Sequence, residues 1–300
     1  TETARLHAAD TGVQVTEITT GFWDELDALL AKIDCKILLF EDRTIAYRQY
    51  TQLQGIFSGE LRPVGNGVMD LRNVKEPWEI DLMKTANRIA EKAFLELLND
   101  VKPGKTEKEL AARFDYLMAL GGSDGVSFDT ILLTGAHTSM PHGVPENREV
   151  QKGDFVLFDF GATYRGYHSD MTRTVAVGSA TAEMQAAYDL VLRAQLAGIQ
   201  ALQAGVPCKE VYQAAYDVLA AEDKAQYFRH SLGHGVGLEI HEGYNASPRS
   251  EDVYQTGNVT SVEPGIYLPD KFGIRIEDVL YLSPHGRENL SNVTKKLIVL

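Results

Sequence analysis

The sequence predicts an α/β (α+β) protein: a small N-terminal unit, then a larger unit of two similar halves around a shared sheet. Short apolar runs of strand length alternate with longer stretches of helical spacing. Residues recur at a constant offset of 101, Ala86, Ile89, Ala93, Leu98, Gly104, Glu109 and Leu110 matching Ala187, Leu190, Ala194, Ile199, Gly205, Glu210 and Val211. Each copy reads as a helix, a Gly-containing turn, a second helix and then strands, which places a site between the halves.

Taken in order, residues 22–32 (FWDELDALLAK) have helical spacing and residues 36–40 (KILLF) form a short apolar strand. Residues 61–63 and 65–67 read as loop. A long helix comes next, running to about residue 98, with Pro77 near its first turn, where a missing N–H costs little. The domain boundary is expected near residue 73, giving a smaller N-terminal domain at 1–72 and a larger domain at 73–300.

The chain has 300 residues, of which 44% are apolar, enough for a real core. Its net charge of −13 argues against nucleic acid and anionic membrane surfaces, since no basic stripe exists to neutralise phosphates. Part of that charge fits carboxylates that bind cations. Cys35 and Cys208 lie far apart without CxxC spacing, which suggests neither a disulfide framework nor a zinc knuckle and fits a reducing cytoplasm. No run of about 18 apolar residues and no signal peptide are read. Because the first residue is Thr1, some preceding sequence is expected.

Residues 158–173 (FDFGATYRGYHSDMTR) read as a hairpin centred on Tyr164 and Arg165, which sets Asp159 opposite Asp170. At about 5 Å and an effective dielectric near 20, two facing carboxylates repel by roughly 3 kcal/mol. Either one is protonated or a cation lies between them. Residues 261–278 repeat the device: a hairpin with midpoint Asp270 sets Glu263 opposite Glu277. For any one pair, a register that points the acids to solvent is the alternative; two pairs in one chain favour a metal site. Residues 230–241 (HSLGHGVGLEIH) add three histidines in a Gly-rich stretch. Four carboxylates with one imidazole favour Mn²⁺, with Fe²⁺, Co²⁺ or Zn²⁺ as alternatives. Their charge balances two divalent ions, which could share a bridging hydroxide as nucleophile. His142 lies in a loop after Pro141; His137 is read as structural, and His168 is left without a role.

These segments together resemble the pita-bread metallopeptidases, the family of Xaa-Pro aminopeptidases, prolidases, methionine aminopeptidases and creatinase. The match is carried by Pro141-His142-Gly143, residues 159–173, Gly233-His234-Gly235-Val236-Gly237, Glu263-Pro264-Gly265-Ile266-Tyr267 and residues 273–278 (GIRIED), in the family's order. The resemblance implies a pseudo-symmetric pita-bread fold with a small N-terminal α/β domain that is truncated here. It implies that Asp159, Asp170, His234, Glu263 and Glu277 bind two metal ions, with Asp170 and Glu277 bridging them. Glu263 is implied as proton shuttle. His142 and His241 would hold the substrate and the developing oxyanion, and His230 would line the pocket. Tyr267 and Arg275 are implied as supports of the site in prolyl-type members. A homodimer is also implied.

The sequence departs from the family pattern where Gly243-Tyr244-Asn245 replaces the proline after the His-Glu pair, and where Asn258 precedes Val259. The activity implied is hydrolysis of the N-terminal Xaa-Pro bond of short peptides with proline second. Xaa-Pro dipeptidase is the alternative. Methionine aminopeptidase is disfavoured by Arg275, and a non-catalytic binding protein by the presence of all five ligand positions.

Overall fold

The computed structural model describes residues 2–9 and 11–300. The chain divides into two units, Thr1–Val68 and Met69–Leu300, shortly before the expected boundary. In the smaller unit the helix Phe22–Leu30 and the strand Ile37–Phe40 form where their spacing predicts. The segment read as loop is instead a strand, Glu60–Pro63, parallel to Ile37–Phe40. Its sequence, ELRP, holds one large aliphatic residue and no alternation. The partner supplies what its own pattern lacks: Glu60 N–H donates to Lys36 O and Val64 N–H to Phe40 O. The helix Gly67–Asn73 also begins inside the expected loop.

In the larger unit, Pro77 opens the helix Pro77–Leu97, and Glu79 Oε2 accepts the Glu76 N–H at 2.7 Å. Gly104 turns the chain at φ +88°, and Thr106 caps the helix Glu107–Leu120. The second half repeats the plan with the helix Ala182–Ala201, Gly205 at φ +89° and the helix Cys208–Ala220. Both glycines hold left-handed backbone that other residues adopt only under strain. The 101-residue offset therefore marks a structural repeat.

Each half carries its own antiparallel sheet rather than sharing one. The first is ordered Ile298–Val299, Met171–Ala176, Phe155–Phe160, Ile131–Thr134, with only the short Ile298–Val299 strand running parallel to its neighbour. The second is ordered Glu242–Ala246, Gly233–Gly235, Val259–Val262, Asp278–Ser283, Gly286–Asn289. They meet where the Glu277 N–H donates to Thr172 O at 3.1 Å.

Helices cover each sheet. Phe94 and Phe114 pack on Phe158 and Phe160 in the first half, each fully buried, and each such ring contributes about 1.5–3 kcal/mol of transfer free energy. Val191, Ala194, Val211 and Ala215 cover Val262 and Ile266 in the second. Among the described residues, no helix is long and apolar enough to cross a membrane. Both cysteines are free.

Candidate metal centre

The hairpin Gly265–Leu268 with Phe272–Arg275 keeps the expected register: Gly265 pairs with Arg275 and Leu268 with Phe272. Val262 pairs with Asp278 in the same register, so Glu263 and Glu277 face each other between the two ladders. The first hairpin differs. Its two-residue turn is Arg165-Gly166, Tyr164 pairs with Tyr167, and Asp159 faces Thr172 rather than Asp170. Asp170 falls opposite Gly161, where the strands are interrupted and a Cβ would collide with Ser169 O. The expected register is therefore two residues off. Because side chains alternate with period two, the two aspartates still share a face.

Asp159, Asp170, His234, Glu263, Glu277, His142, His230, His241 and Arg275 line one cavity of about 540 Å³. Oxygen and nitrogen atoms of Asp170, His234 and Glu277 lie within 4.8 Å of one another. His234 Nε2 is 3.3 Å from Glu263 Oε1 and 3.5 Å from Asp170 Oδ2. Its Nδ1 is 3.1 Å from Gly235 O, so Nδ1–H donates there and Nε2 is the ring nitrogen that faces the carboxylates. Asp159 turns to Arg275, its Oδ2 2.5 Å from Nη2.

The donor set suits hard divalent ions. Glu277 is 1% exposed, its Oε2 accepts from Thr172 Oγ1 at 2.7 Å, and its Oε1 is buried without a hydrogen-bond partner. A buried carboxylate oxygen with no donor is costly, and a cation satisfies it. Burial, and then Glu277 and Asp159, raise the Asp170 carboxyl well above its ordinary range. Burial, with Glu263 and Asp159, does the same to Glu277. Burial also raises Asp159, against the pull of Arg275. Glu263 goes the other way: burial opposes ionisation, yet His234 brings it down to about 2.

Behind the acids, Arg275 organises a chain of donors. Its Nε donates to Thr172 Oγ1 at 3.0 Å and its Nη1 to Tyr267 Oη at 2.7 Å and Pro141 O at 3.3 Å. Tyr267 Oη lies 2.9 Å from His230 Nε2, and His230 Nδ1 lies 2.7 Å from Ser231 O. The Nδ1–H therefore donates to Ser231, and Nε2 accepts the Tyr267 O–H. Burial lowers the His230 pKa to about 4, so the ring is neutral at pH 7. His241 packs against His234 with ring centroids 4.1 Å apart.

His137 is buried with Nδ1 2.9 Å from both Glu107 oxygens, away from the cavity as expected. His168 Nδ1 lies 3.3 Å from Thr163 Oγ1. Sequence reasoning missed Thr172 and Arg173. Thr172 is legible by alternation, two residues from Asp170 along the chain. Arg173 is a lone charge in the buried strand MTRTVA; its guanidinium donates to Glu277 O, Thr172 O, Val293 O, Thr294 O and Asp278 Oδ1, fixing the backbone of Glu277. Phe128, Ile131, Ile240 and Asn245, which also line the cavity, carry no motif.

Known proteins resemble the chain over most of its length. A match to the description "metallopeptidase family M24" spans residues 81–284. The chain is 38% identical over 239 residues to an Xaa-Pro dipeptidase of Pyrococcus horikoshii, covering 80% of this chain and 68% of that one. It superposes on an Xaa-Pro dipeptidase from Bacillus anthracis with a TM-score of 0.94 at 35% identity, covering 99% of this chain and 84% of that one. An X-Pro aminopeptidase from Thermotoga maritima MSB8 gives 0.93 at 35% identity, covering 100% and 86%. These likenesses identify the fold as the pita-bread fold. The chain belongs to metallopeptidase family M24, hydrolases of peptide bonds that use divalent metal ions.

Proposed function

We propose that the chain is an Xaa-Pro aminopeptidase, releasing the first residue of short peptides whose second residue is proline. The observation that carries this reading is the convergence of Asp170, His234 and Glu277 within 4.8 Å, with Asp159 and Glu263 in the same cavity. Those five residues would hold two divalent ions, Mn²⁺ first among them. The bound ions would supply Lewis acidity and a water acidic enough to attack at neutral pH.

The chain's own residues do the rest. Glu263 has one oxygen held by Ser261 Oγ at 3.1 Å. The other takes the proton of the attacking water and returns it to the leaving proline nitrogen as the C–N bond breaks. His142 and His241 face the cavity and donate to the carbonyl oxygen as charge grows on it. His230, neutral and committed to Tyr267 and Ser231, forms wall rather than proton donor. Arg275 neutralises Asp159 and fixes Tyr267, which keeps the metal side and the histidine side in register.

Xaa-Pro dipeptidase is the second reading, because the similar structures bear both names. An aminopeptidase accepts a further residue after the proline, whereas a dipeptidase requires the chain to end there. Purified protein loaded with Mn²⁺, Co²⁺ or Zn²⁺ in turn is assayed on Xaa-Pro-Yaa, Xaa-Pro and Met-Ala-Ser. The expected outcome is metal-dependent release of Xaa from Xaa-Pro-Yaa, lost in Asp170→Ala. Preference for Xaa-Pro makes the enzyme a dipeptidase, and no release from either proline peptide refutes both readings.

A further inference from the structure

We propose that residues 72–75 form a strap that positions the turn carrying His241, with Lys75, acting through Glu242, as the positioning residue. The inference rests on the exopeptidase reading above. Among the described residues, the His241 ring has no hydrogen-bond partner of its own, unlike His230 and His234. Its placement therefore rests on packing against the His234 ring and on the backbone beside it.

That backbone is tied down at the next residue. Glu242 and Lys75 side chains are each 1% exposed, with Lys75 Nζ 2.5 Å from Glu242 Oε1. Arg72 Nη2 is 2.5 Å from Oε2, and Oε2 also accepts the Glu239 N–H at 3.3 Å. The carboxylate lies against Gly237, where a Cβ would collide with Oε1. A buried ion pair of this kind stabilises little compared with apolar packing, so its use here is geometric: it fixes where Glu242, and with it His241, must sit.

The strap is itself anchored. Lys75 N–H donates to Gly257 O at 2.9 Å, and Asn258 Nδ2 donates to Asn73 O at 2.8 Å. Asn73 Oδ1 lies over Gly243, whose φ of +65° and crowding exclude a side chain. Gly243 and Asn258 belong to the two segments where the sequence leaves the family pattern. Both touch Asn73, so the two departures meet at the strap.

The test uses the Mn²⁺-loaded full chain with Lys75→Met, Lys75→Arg and His241→Ala, alone and with Lys75→Met combined with His241→Ala. Lys75→Met should lower kcat by about ten- to a hundred-fold, the cost of a small misplacement of a reacting group, with KM and bound Mn²⁺ little changed. Lys75→Arg should recover most of the loss. In the His241→Ala background Lys75→Met should add nearly nothing, because the two act on one group. Full multiplication of the two losses, or wild-type kcat in Lys75→Met, overturns the strap. Should Lys75→Met fail to fold, Arg72→Met, at a side chain 22% exposed, carries the same cycle. An inactive parent, or a fully active His241→Ala, overturns the site reading instead.

Discussion

At Glu277 the proposed function and the stability of the metal-free protein pull in opposite directions. Its Oε1 has no donor, and Asp170, Asp159 and Glu263 stand around it. Burial and the neighbouring acids raise both Asp170 and Glu277. A carboxyl whose folded pKa is raised stabilises the protein below its unfolded pKa, near 4. That contribution is lost as pH rises through the folded value. The metal-free protein should therefore lose stability upward from about pH 4, and added Mn²⁺ should stabilise it more at pH 8 than at pH 5. Glu277→Gln removes one charge, so its metal-free form should melt about 2–4 °C higher at pH 8, equivalent to about 1 kcal/mol. It should also lose the Mn²⁺-induced rise. Differential scanning calorimetry with EDTA and with Mn²⁺ measures both, and an unchanged Mn²⁺ response in Glu277→Gln removes this residue from the metal site. The acids are legible in the sequence because two carboxylates on one face of each of two hairpins demand a counter-charge, even though only Glu263 and Glu277 stand directly opposed. Of the partners that aim them, Thr172 can be placed on their face by alternation, but its role and that of Arg173 cannot be read, because one neutral hydroxyl and one buried cation look ordinary until their acceptors are known.

At the scale of elements, the two hairpins show what a sequence can and cannot fix. The second has the expected register through both ladders, since Asp270, at φ +60°, sits at the midpoint. The first departs from expectation by two residues because Arg165, not Gly, takes the first left-handed position of the turn. Arg165 has φ +50° and Gly166 +83°, the pattern of a type I′ hairpin, whose first position favours Asn. Arg165 N–H donates to Asp124 Oδ2 at 2.5 Å, which offsets part of the strain. Arg165→Asn keeps that N–H and relieves the backbone, so it should stabilise by about 0.5–1 kcal/mol. The midpoint of urea unfolding reads this directly. A lower midpoint would mean that the arginine side chain, stacked 5.8 Å from the Tyr164 ring, contributes more than the turn loses. The difference spares the site because a slip of two preserves the face; a slip of one would have sent Asp170 to the other side.

For the molecule as a whole, the 101-residue repeat is legible because helix–Gly–helix units leave a local mark in sequence. The division into two sheets is not, because strand partners across halves share no local pattern. The two units also differ in how much core each possesses. Phe94, Phe114, Val191 and Ile266 belong to clusters built entirely from residues of the larger unit. In the smaller unit Leu53 and Phe57 are the apolar side chains buried below 10% among the described residues, while Phe22, Ile37, Leu39 and Tyr47 are more than 40% exposed. A unit of that size with so little buried apolar surface cannot offset its conformational entropy. Residues 69–300 alone should therefore fold cooperatively. Every proposed metal-binding residue lies within them, so they should also keep the Mn²⁺-induced rise in melting temperature. Residues 1–68 alone should give the far-ultraviolet circular dichroism of an unfolded chain. A larger unit that melts without cooperativity, or that no longer responds to Mn²⁺, would show that its core and its acid cluster depend on the smaller unit. The residues that set the acids in place, Arg173, Arg275 and Thr172, all lie inside the larger unit and bond to one another's strands, which is why the expected outcome is a self-sufficient centre.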